Sequence, residues 1–480
     1  MRKKERKFNV QARSGMKKRI LAAILVFVLC VPMAACASKE AKDQSEGKDK
    51  DGKRTLHILG TVRRYEGEED AWNEVFAAFE KEYNCKIEYR WQGKVDDMIT
   101  NLEAAKMSGE KVDICFPNGG RVYSALAPNG MLMDLTDLMK PLKDRFKDGV
   151  LDFYTIGDHL WGFPYGDQSS SVLYYNKTMF DELGLKEPET FDDLIECGKV
   201  IKEKKGIMPM IHQGKTQSYW LMYYGDVYAQ TSGNQSIENI NEFLTGKHQF
   251  TGEAEEEAFD VFKRMYEEGL YTSASFETDA DGMKAAFAQQ QAAMFFGGTW
   301  ELAPTKGLVK DFELGVTSLP RFVDDKNVVV QHAGAPDYGI AVPSFADQDN
   351  LDLIMQFFEF ILREENAKKI LSTYQPINCP IKGVDTIDDE YAKKIAEEMV
   401  PKNTIWIDWV LPIQMNDALM QAVPAAMSGD LTPKEATEQV QTAFDTLVEE
   451  TGYQYDWWNA WTDEQWDGVT PKKIPEFEVK

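Results

Sequence analysis

From residue 55 to residue 116 the chain alternates short apolar runs with stretches of helical periodicity, and this alternation restricts the fold more than any other feature. Thr55–Gly60 (TLHILG) reads as a strand, and Trp72, Val75, Phe76, Phe79 and Tyr83 recur at helical spacing after it. Lys86–Trp91 reads as a second strand, 95–107 as a second helix and 112–116 as a third strand. A βαβαβ order predicts a parallel sheet with helices on both faces, since each crossover must pack back onto the sheet it rejoins. Ligands of such sheets sit beyond the carboxyl ends of the strands. The loops 60–65, 93–94 and 117–121 are therefore the first candidate contacts.

The alternation continues less regularly. The run 170–175 is β-rich, Asn176 caps a helix that ends at Gly184, and Thr190-Phe191-Asp192-Asp193 carries the capping pattern of another. A Gly-rich turn at 334–339 precedes the strand 340–342, and 353–371 is amphipathic. With 480 residues the chain exceeds one compact domain, so two domains of about 200 residues each are expected. No repeat of the solenoid kind is present.

Charge is distributed unevenly. The chain carries a net −25, yet nine of its 54 Lys and Arg fall within residues 1–35, against the single acid Glu5. The acidic remainder argues against a nucleic-acid partner, because binding phosphates requires clustered positive charge. Lys17-Lys18-Arg19 precede the apolar run 20–31, and the small residues Ala34-Ala35-Cys36 follow. These are the n-region, h-region and cleavage zone of a secretory signal. The run is shorter than the roughly 20 residues that a membrane span prefers. Residues 1–35 are thus read as a signal peptide, with Met1 or Met16 as its start. Residues 37–54 have Ala as their only apolar type and read as a disordered tether behind Cys36.

Motifs of catalysis are missing. There is no His-Glu-x-x-His metal site and no Gly-x-Ser-x-Gly elbow. His57, His159, His212, His248 and His332 are scattered without ligand spacing. No motif selects a carboxylate pair for glycoside hydrolysis. Cys85, Cys115, Cys197 and Cys379 share no close motif, and free, buried thiols are expected of them, since a core of this size needs no staples. Neither a metal nor a cofactor is expected.

A set of ordered segments carries a family resemblance. They are Phe79-Glu80-Lys81-Glu82-Tyr83, Val112-Asp113-Ile114, Leu135-Thr136-Asp137-Leu138, Leu160-Trp161-Gly162-Phe163-Pro164-Tyr165 and Leu173-Tyr174-Tyr175-Asn176-Lys177. Pro188-Glu189-Thr190-Phe191-Asp192-Asp193-Leu194, Ala293-Met294-Phe295-Phe296-Gly297-Gly298-Thr299-Trp300, Gly315-Val316-Thr317-Ser318-Leu319-Pro320 and Gly429-Asp430-Leu431-Thr432-Pro433 come after them. Across 55–450 the chain resembles the substrate-binding lipoprotein of a bacterial ABC importer, in the extracellular solute-binding family that includes maltodextrin-binding proteins. Ala34-Ala35-Cys36 resembles a lipobox, with Met33 in place of the usual Leu, which implies a lipid on Cys36. The resemblance implies an α/β, two-lobed periplasmic-binding-protein-like fold, each lobe a mainly parallel sheet flanked by helices, joined by a hinge. Lobe 1 is expected to comprise 55–168 plus 331–402, and lobe 2 169–330 plus 403–480. A carbohydrate ligand in the cleft, permease subunits as partners, a monomer, and anchorage on the outer face of a Gram-positive cytoplasmic membrane are implied with it. A peptide, a polyamine or an organic anion is the alternative solute, and a carbohydrate-active enzyme the rival class.

A pyranose packs its C–H face on an aromatic ring and gives its hydroxyls to planar donors and acceptors. Trp300 follows Gly297-Gly298-Thr299, a turn where bare backbone approaches a ligand, and matches the family's stacking tryptophan. Glu301 beside it either accepts hydroxyl bonds or is the first acid of a solvated helix start. Asp167 and Gln168 lie where the chain crosses between lobes, and are either hydroxyl acceptors or part of a simple turn. Asn118, before Gly119-Gly120, is either a contact or an N-cap, and the bare amides beside it could cradle an anion. Arg64 and Tyr65 follow the first strand, where the family contacts solute; for Arg64 plain surface charge is the competing reading. Trp91 ends the second strand as wall or core. Tyr219, Trp220 and Tyr223 follow the loop Gln213-Gly214-Lys215, a region from which the family draws aromatic contacts, and Trp220 is either a contact or core. In Trp406-Ile407-Asp408-Trp409, read as extended, Trp406 and Asp408 point one way and Trp409 the other; the resemblance, which places an aromatic near the last crossing, implies that one of the two tryptophans faces the cleft. The run 457–461 with Trp466 is expected to pack the tail onto its own lobe.

Overall fold

The strands read from the sequence assemble into a first sheet because their apolar residues alternate with the stripe of the intervening helix. In the computed structural model these are β1 (Thr55–Gly60), α1 (Glu68–Tyr83), β2 (Lys86–Trp91), α2 (Asp97–Ser108) and β3 (Ile114–Cys115), with strand order β2-β1-β3, parallel throughout. The structure describes residues 52–60, 67–91, 97–121, 125–166, 169–336, 338–374, 379–384 and 389–480. Trp72, Val75, Phe76 and Phe79 form the buried stripe of α1, as their spacing predicts. A returning segment adds to the free edge of β3, where Ala341 pairs antiparallel with Cys115. The amphipathic run at 353–371 forms two helices, Leu351–Ile361 and Glu364–Leu371. The chain is extended between them at Arg363, whose guanidinium binds Glu359, Glu82 and the Tyr83 hydroxyl.

The second sheet is built from β4 (Ser171–Asn176), β5 (Met208–Ile211), β6 (Ala292–Gly298) and β7 (Leu314–Thr317), in the order β7-β4-β6-β5. Between them lie α3 (Phe191–Lys205), started by a Thr190–Asp193 capping box, α4 (Ser218–Thr231), and α5 (Ala280–Ala288). Only β5 and β6 run parallel, while β4 is antiparallel to both β6 and β7. The expectation of a mainly parallel sheet in each lobe is corrected here. The reason is that β4 arrives from the first core rather than through a helical crossover, and inserts between strands that run the other way.

Two cores result, one around Leu56, Trp72, Ile114, Trp161 and Phe358, the other around Leu173, Tyr223, Phe296 and Leu419. The outer face of the second sheet is covered by α5 and by helix Glu390–Glu398, through Met283, Phe287 and Ile395. That helix falls within the 331–402 stretch expected in the first lobe, yet it packs on the second sheet. The tail also departs from expectation. Tyr453 and Tyr455 rest on the second core, but Trp457, Trp458, Trp461 and Trp466 pack on the first, around His159 and Trp161. Gly157, at φ 58°, has no Cβ to keep the Trp458 ring away. Cys85, Cys115, Cys197 and Cys379 are all free and buried.

Where the two cores meet, the segments at 169–171, 332–335 and 403–404 are stitched together. His332–Ala333 pairs parallel with Asn403–Thr404, the Ser169 amide donates to the Ala335 carbonyl at 3.1 Å, and Asn403 Nδ2 donates to the Ser169 carbonyl at 2.9 Å. The Ala333 amide is held by Asp226 on α4 at 2.6 Å.

Candidate functional site

Where these segments cross, Ala333 and Ala335 support an aromatic cluster separate from both cores. Trp406 and Trp409 are buried in it, and Trp300, Phe153, Met222 and Ile405 are half-buried against it. The Trp300 ring lies 6.1 Å from Trp406 and 6.4 Å from Tyr219. Its position is set by the end of β6. Gly297-Gly298 runs into a single 3-10 turn, Thr299–Glu301, and the Thr299 amide donates to the Ser170 carbonyl at 3.0 Å, fixing the turn to a crossing segment. A Cβ on Gly298 would overlap the Trp300 ring, so glycine is what lets the ring fold back on the strand.

The reading of 406–409 as extended is corrected. Ile407–Val410 forms one helical turn, and Trp406 and Trp409, three residues apart, share a face. Both enter the cluster rather than one of them. Trp409 also covers Gly119-Gly120 of the first lobe, where any Cβ would meet its ring, and stands edge-on to Tyr154 at 6.4 Å. Those amides are thus beneath a tryptophan and not an open cradle for an anion. Asn118 Oδ1 accepts from the Gly120 amide at 2.9 Å, the capping arrangement, with the residue half-buried. Asp408 is half-buried, and its carbonyl accepts from Asn416 Nδ2.

Trp220 is not a platform. It is fully buried in the second core, 4.1 Å from the His212 ring and 5.8 Å from Tyr271. Helix α4 presents Trp220 inward and Tyr219 toward Trp300. Burial pushes His212 down to about 3, so its ring is neutral. Glu301 is neither a solvated helix start nor a free acceptor. It is 3% exposed, Lys284 Nζ donates to its Oε2 at 3.0 Å, and Gln213 Nε2 donates to its Oε1 at 3.3 Å. Trp91 is half-buried against the first core, stacked with Phe76. Arg64, Tyr65, Asp167, Gln168 and Cys36 lie outside the described residues.

Of the aromatic stretch Tyr219, Trp220 and Tyr223, sequence reasoning singles out Trp220 rather than Tyr219, and it misses Gln213 and Lys284 as side chains of the site. A helical signal existed for Tyr219, since Trp220 and Tyr223 are three apart and claim the buried face, leaving Tyr219 to another. Nothing local marked Lys284, which reaches the site only through the packing of α5. Near the aromatic cluster, Thr299 Oγ1 and Trp300 Nε1 are buried without a partner among the described residues. Rings beside unsatisfied planar and hydroxyl groups suit a ligand with both apolar faces and hydroxyls. Among the described residues no group of three or more His, Cys, Asp or Glu is placed to hold a metal.

Comparison with known proteins agrees with this architecture. An uncharacterized ABC transporter extracellular-binding protein of Pyrococcus horikoshii is 28% identical over 61% of this chain and 65% of its own length, a little under two thirds. The melibiose/raffinose/stachyose-binding protein of Bacillus subtilis is 23% identical over 74% of this chain and 79% of its own. A solved chitin oligosaccharide binding protein superposes with a TM-score of 0.71 at 21% identity, covering 82% of this chain and 98% of that one, which shows the shared two-lobed fold. The family model described as bacterial extracellular solute-binding protein matches residues 65–368, and the chain belongs to that family of binding proteins.

Proposed function

We propose that this chain captures a carbohydrate, an oligosaccharide, between its lobes and delivers it to the permease of an ABC importer. The observation that carries this reading is the Trp300, Trp406 and Tyr219 cluster at the crossing, with buried, unsatisfied polar atoms beside it. Relatives named for melibiose, raffinose and stachyose and for multiple sugars support the same reading. Trp300 and Trp406 act as platforms, Asn118 contributes from the first lobe, and Arg64, Tyr65, Asp167 and Gln168 add polar contacts. The lobes divide near residues 168 and 331 and, since helix Glu390–Glu398 covers the second sheet and the tail tryptophans pack on the first core, again before residue 390 and after residue 455. Solute favours closure because only the closed form touches it from both sides. The protein acts as a monomer, held by a lipid on Cys36 to the outer face of a Gram-positive cytoplasmic membrane.

A thermal-shift screen with raffinose, stachyose, chitooligosaccharides and xylooligosaccharides, beside peptides and polyamines, tests the solute class. A stabilising shift from at least one saccharide is expected, and shifts from peptides or polyamines alone would overturn the reading. Substituting Cys36→Ser should release the protein from the membrane fraction; retention would remove the lipid anchor.

A further inference from the structure

The end of β6 is folded over from both sides. Successive strand residues face opposite ways, so Gly297 opens to one face of the second sheet and Gly298 to the other. Trp300 folds back over Gly298, on the side of the aromatic cluster. Glu301 folds back over Gly297, where a Cβ would stand 3.2 Å from its Cγ and 3.2 Å from the Phe295 ring. Phe295 belongs to the outer face, with Met283 and Phe287 of α5. On that face Lys284, itself 9% exposed, closes the ion pair to Glu301, and Gln213, which follows β5, takes the second carboxylate oxygen. One buried carboxylate therefore ties together the ends of β5 and β6 and helix α5, directly behind the tryptophan.

A buried ion pair is weak evidence for stability, because desolvating both charges offsets most of their attraction. Two matched hydrophobic side chains would fill this space as well. What such side chains cannot do is fix the Thr299–Glu301 turn through directed bonds to two separate elements. We propose that Lys284 and Glu301 are positioning residues for Trp300: acting from the opposite face of the sheet, their ion pair sets the angle of the ring and hence the affinity for solute. Gln213 completes the device by holding the carboxylate in the plane that Lys284 alone leaves free. The proposal rests on Trp300 being a solute platform.

The test compares Lys284→Met, Glu301→Gln and the double variant Lys284→Met/Glu301→Met with the parent chain. The readouts are thermal stability, the indole N–H resonance of Trp300 (assigned through Trp300→Phe), and affinity for whichever saccharide gives a shift in the thermal screen. Lys284→Met strands the buried Glu301 carboxylate, and Glu301→Gln leaves Lys284 with only the exposed Asp281, 3.5 Å away, so each single variant loses stability as well. The double variant removes both charges and so regains stability relative to the single variants, less the cost of the Gln213 amide left without its acceptor. It should nevertheless keep a displaced Trp300 resonance and bind roughly tenfold more weakly than the parent, the loss of about one strong contact. In a Trp300→Ala background the double substitution should change affinity less than twofold.

An unmoved Trp300 resonance in the double variant would overturn the proposal without reference to any ligand. So would recovery of parental affinity together with stability, which is the signature of a merely structural pair. A tenfold loss that persists in the Trp300→Ala background would overturn it too. If Trp300→Ala alone leaves affinity unchanged while the resonance still moves in the double variant, the platform reading fails and the positioning of the ring stands.

Discussion

Replacing Asp226 by asparagine should stabilise this protein, by an amount that grows with pH. Asp226 is fully buried on α4, with Oδ1 accepting from the Ala333 amide at 2.6 Å and Oδ2 2.8 Å from Ser171 Oγ. Ser171 Oγ also stands 3.2 Å from the Ala333 carbonyl. A neutral acid completes this chain, because Oδ2 donates to Ser171 and Ser171 donates to the carbonyl. An ionised carboxylate takes the Ser171 hydrogen for itself and leaves that last bond unmade. Burial holds the Asp226 carboxyl well above the usual carboxylate range, and the bonds from Ala333 and Ser171 pull it down by less.

The unfolded chain loses this proton above about pH 3.9, whereas the folded chain keeps it. The folded state then binds the extra proton, so stability is fully present below that pH and declines as pH rises, by up to ~1.4 kcal/mol per unit. Asparagine reproduces the contacts, with Nδ2 donating to Ser171, and has no proton to retain. Urea unfolding at pH 4, 5, 6 and 7 should show the two proteins matched near pH 4 and the Asp226→Asn variant increasingly ahead above it. Asp226→Ala leaves the Ala333 amide and the Ser171 hydroxyl without their acceptor, and should cost about 1–3 kcal/mol for each unsatisfied group. An Asn advantage that stays flat or shrinks with pH would refute a neutral Asp226 at the crossing.

The two tryptophans weighed as platforms should separate cleanly. Trp300→Ala should weaken saccharide binding by about 2–4 kcal/mol in calorimetry with the fold intact. Trp220→Ala should instead cost about 3–5 kcal/mol of folding stability by denaturant titration; a stable variant with lost affinity would reverse their roles. Gly119→Ala places a methyl group inside the Trp409 ring and should separate the lobes at that contact, at about 1–3 kcal/mol for the overpacking. A larger radius of gyration in small-angle scattering checks it, and an unchanged radius would remove Trp409 as an inter-lobe contact. Burial holds His212 near 3 and His332 near 4. Both protonate in the unfolded chain below about 6.5, so their contribution is present above that pH and is lost toward pH 4, at up to ~1.4 kcal/mol per unit each. His212→Phe should flatten the fall of Tm between pH 6.5 and 4, and an unaltered slope would count against a neutral buried imidazole.

Some of this was legible from local pattern. The α1 stripe, the strands of the first sheet, the Asn176 and Thr190 caps and the glycine turn before Trp300 all depend on residues a few positions apart. Local pattern could not show direction of pairing, because β4 gets its antiparallel neighbours from segments more than a hundred residues later. Nor could it separate a fully buried aromatic from a half-buried one. Trp220 and Trp300 are both tryptophans beside glycines, yet one fills the second core and the other leans on Trp406.

The sequence by itself determined that the chain would form α/β lobes, because hydrophobic periodicity and capping act over a single helix or strand. It also determined which tryptophans were available to meet a sugar. Tertiary structure decided which of them could. Trp409 reaches the first lobe, the tail tryptophans close on His159 and Trp161, and Glu301 is matched by a lysine 17 residues earlier. Each of these contacts joins separate elements, and whether a side chain is buried, paired or free depends on the neighbours that the folded chain brings to it.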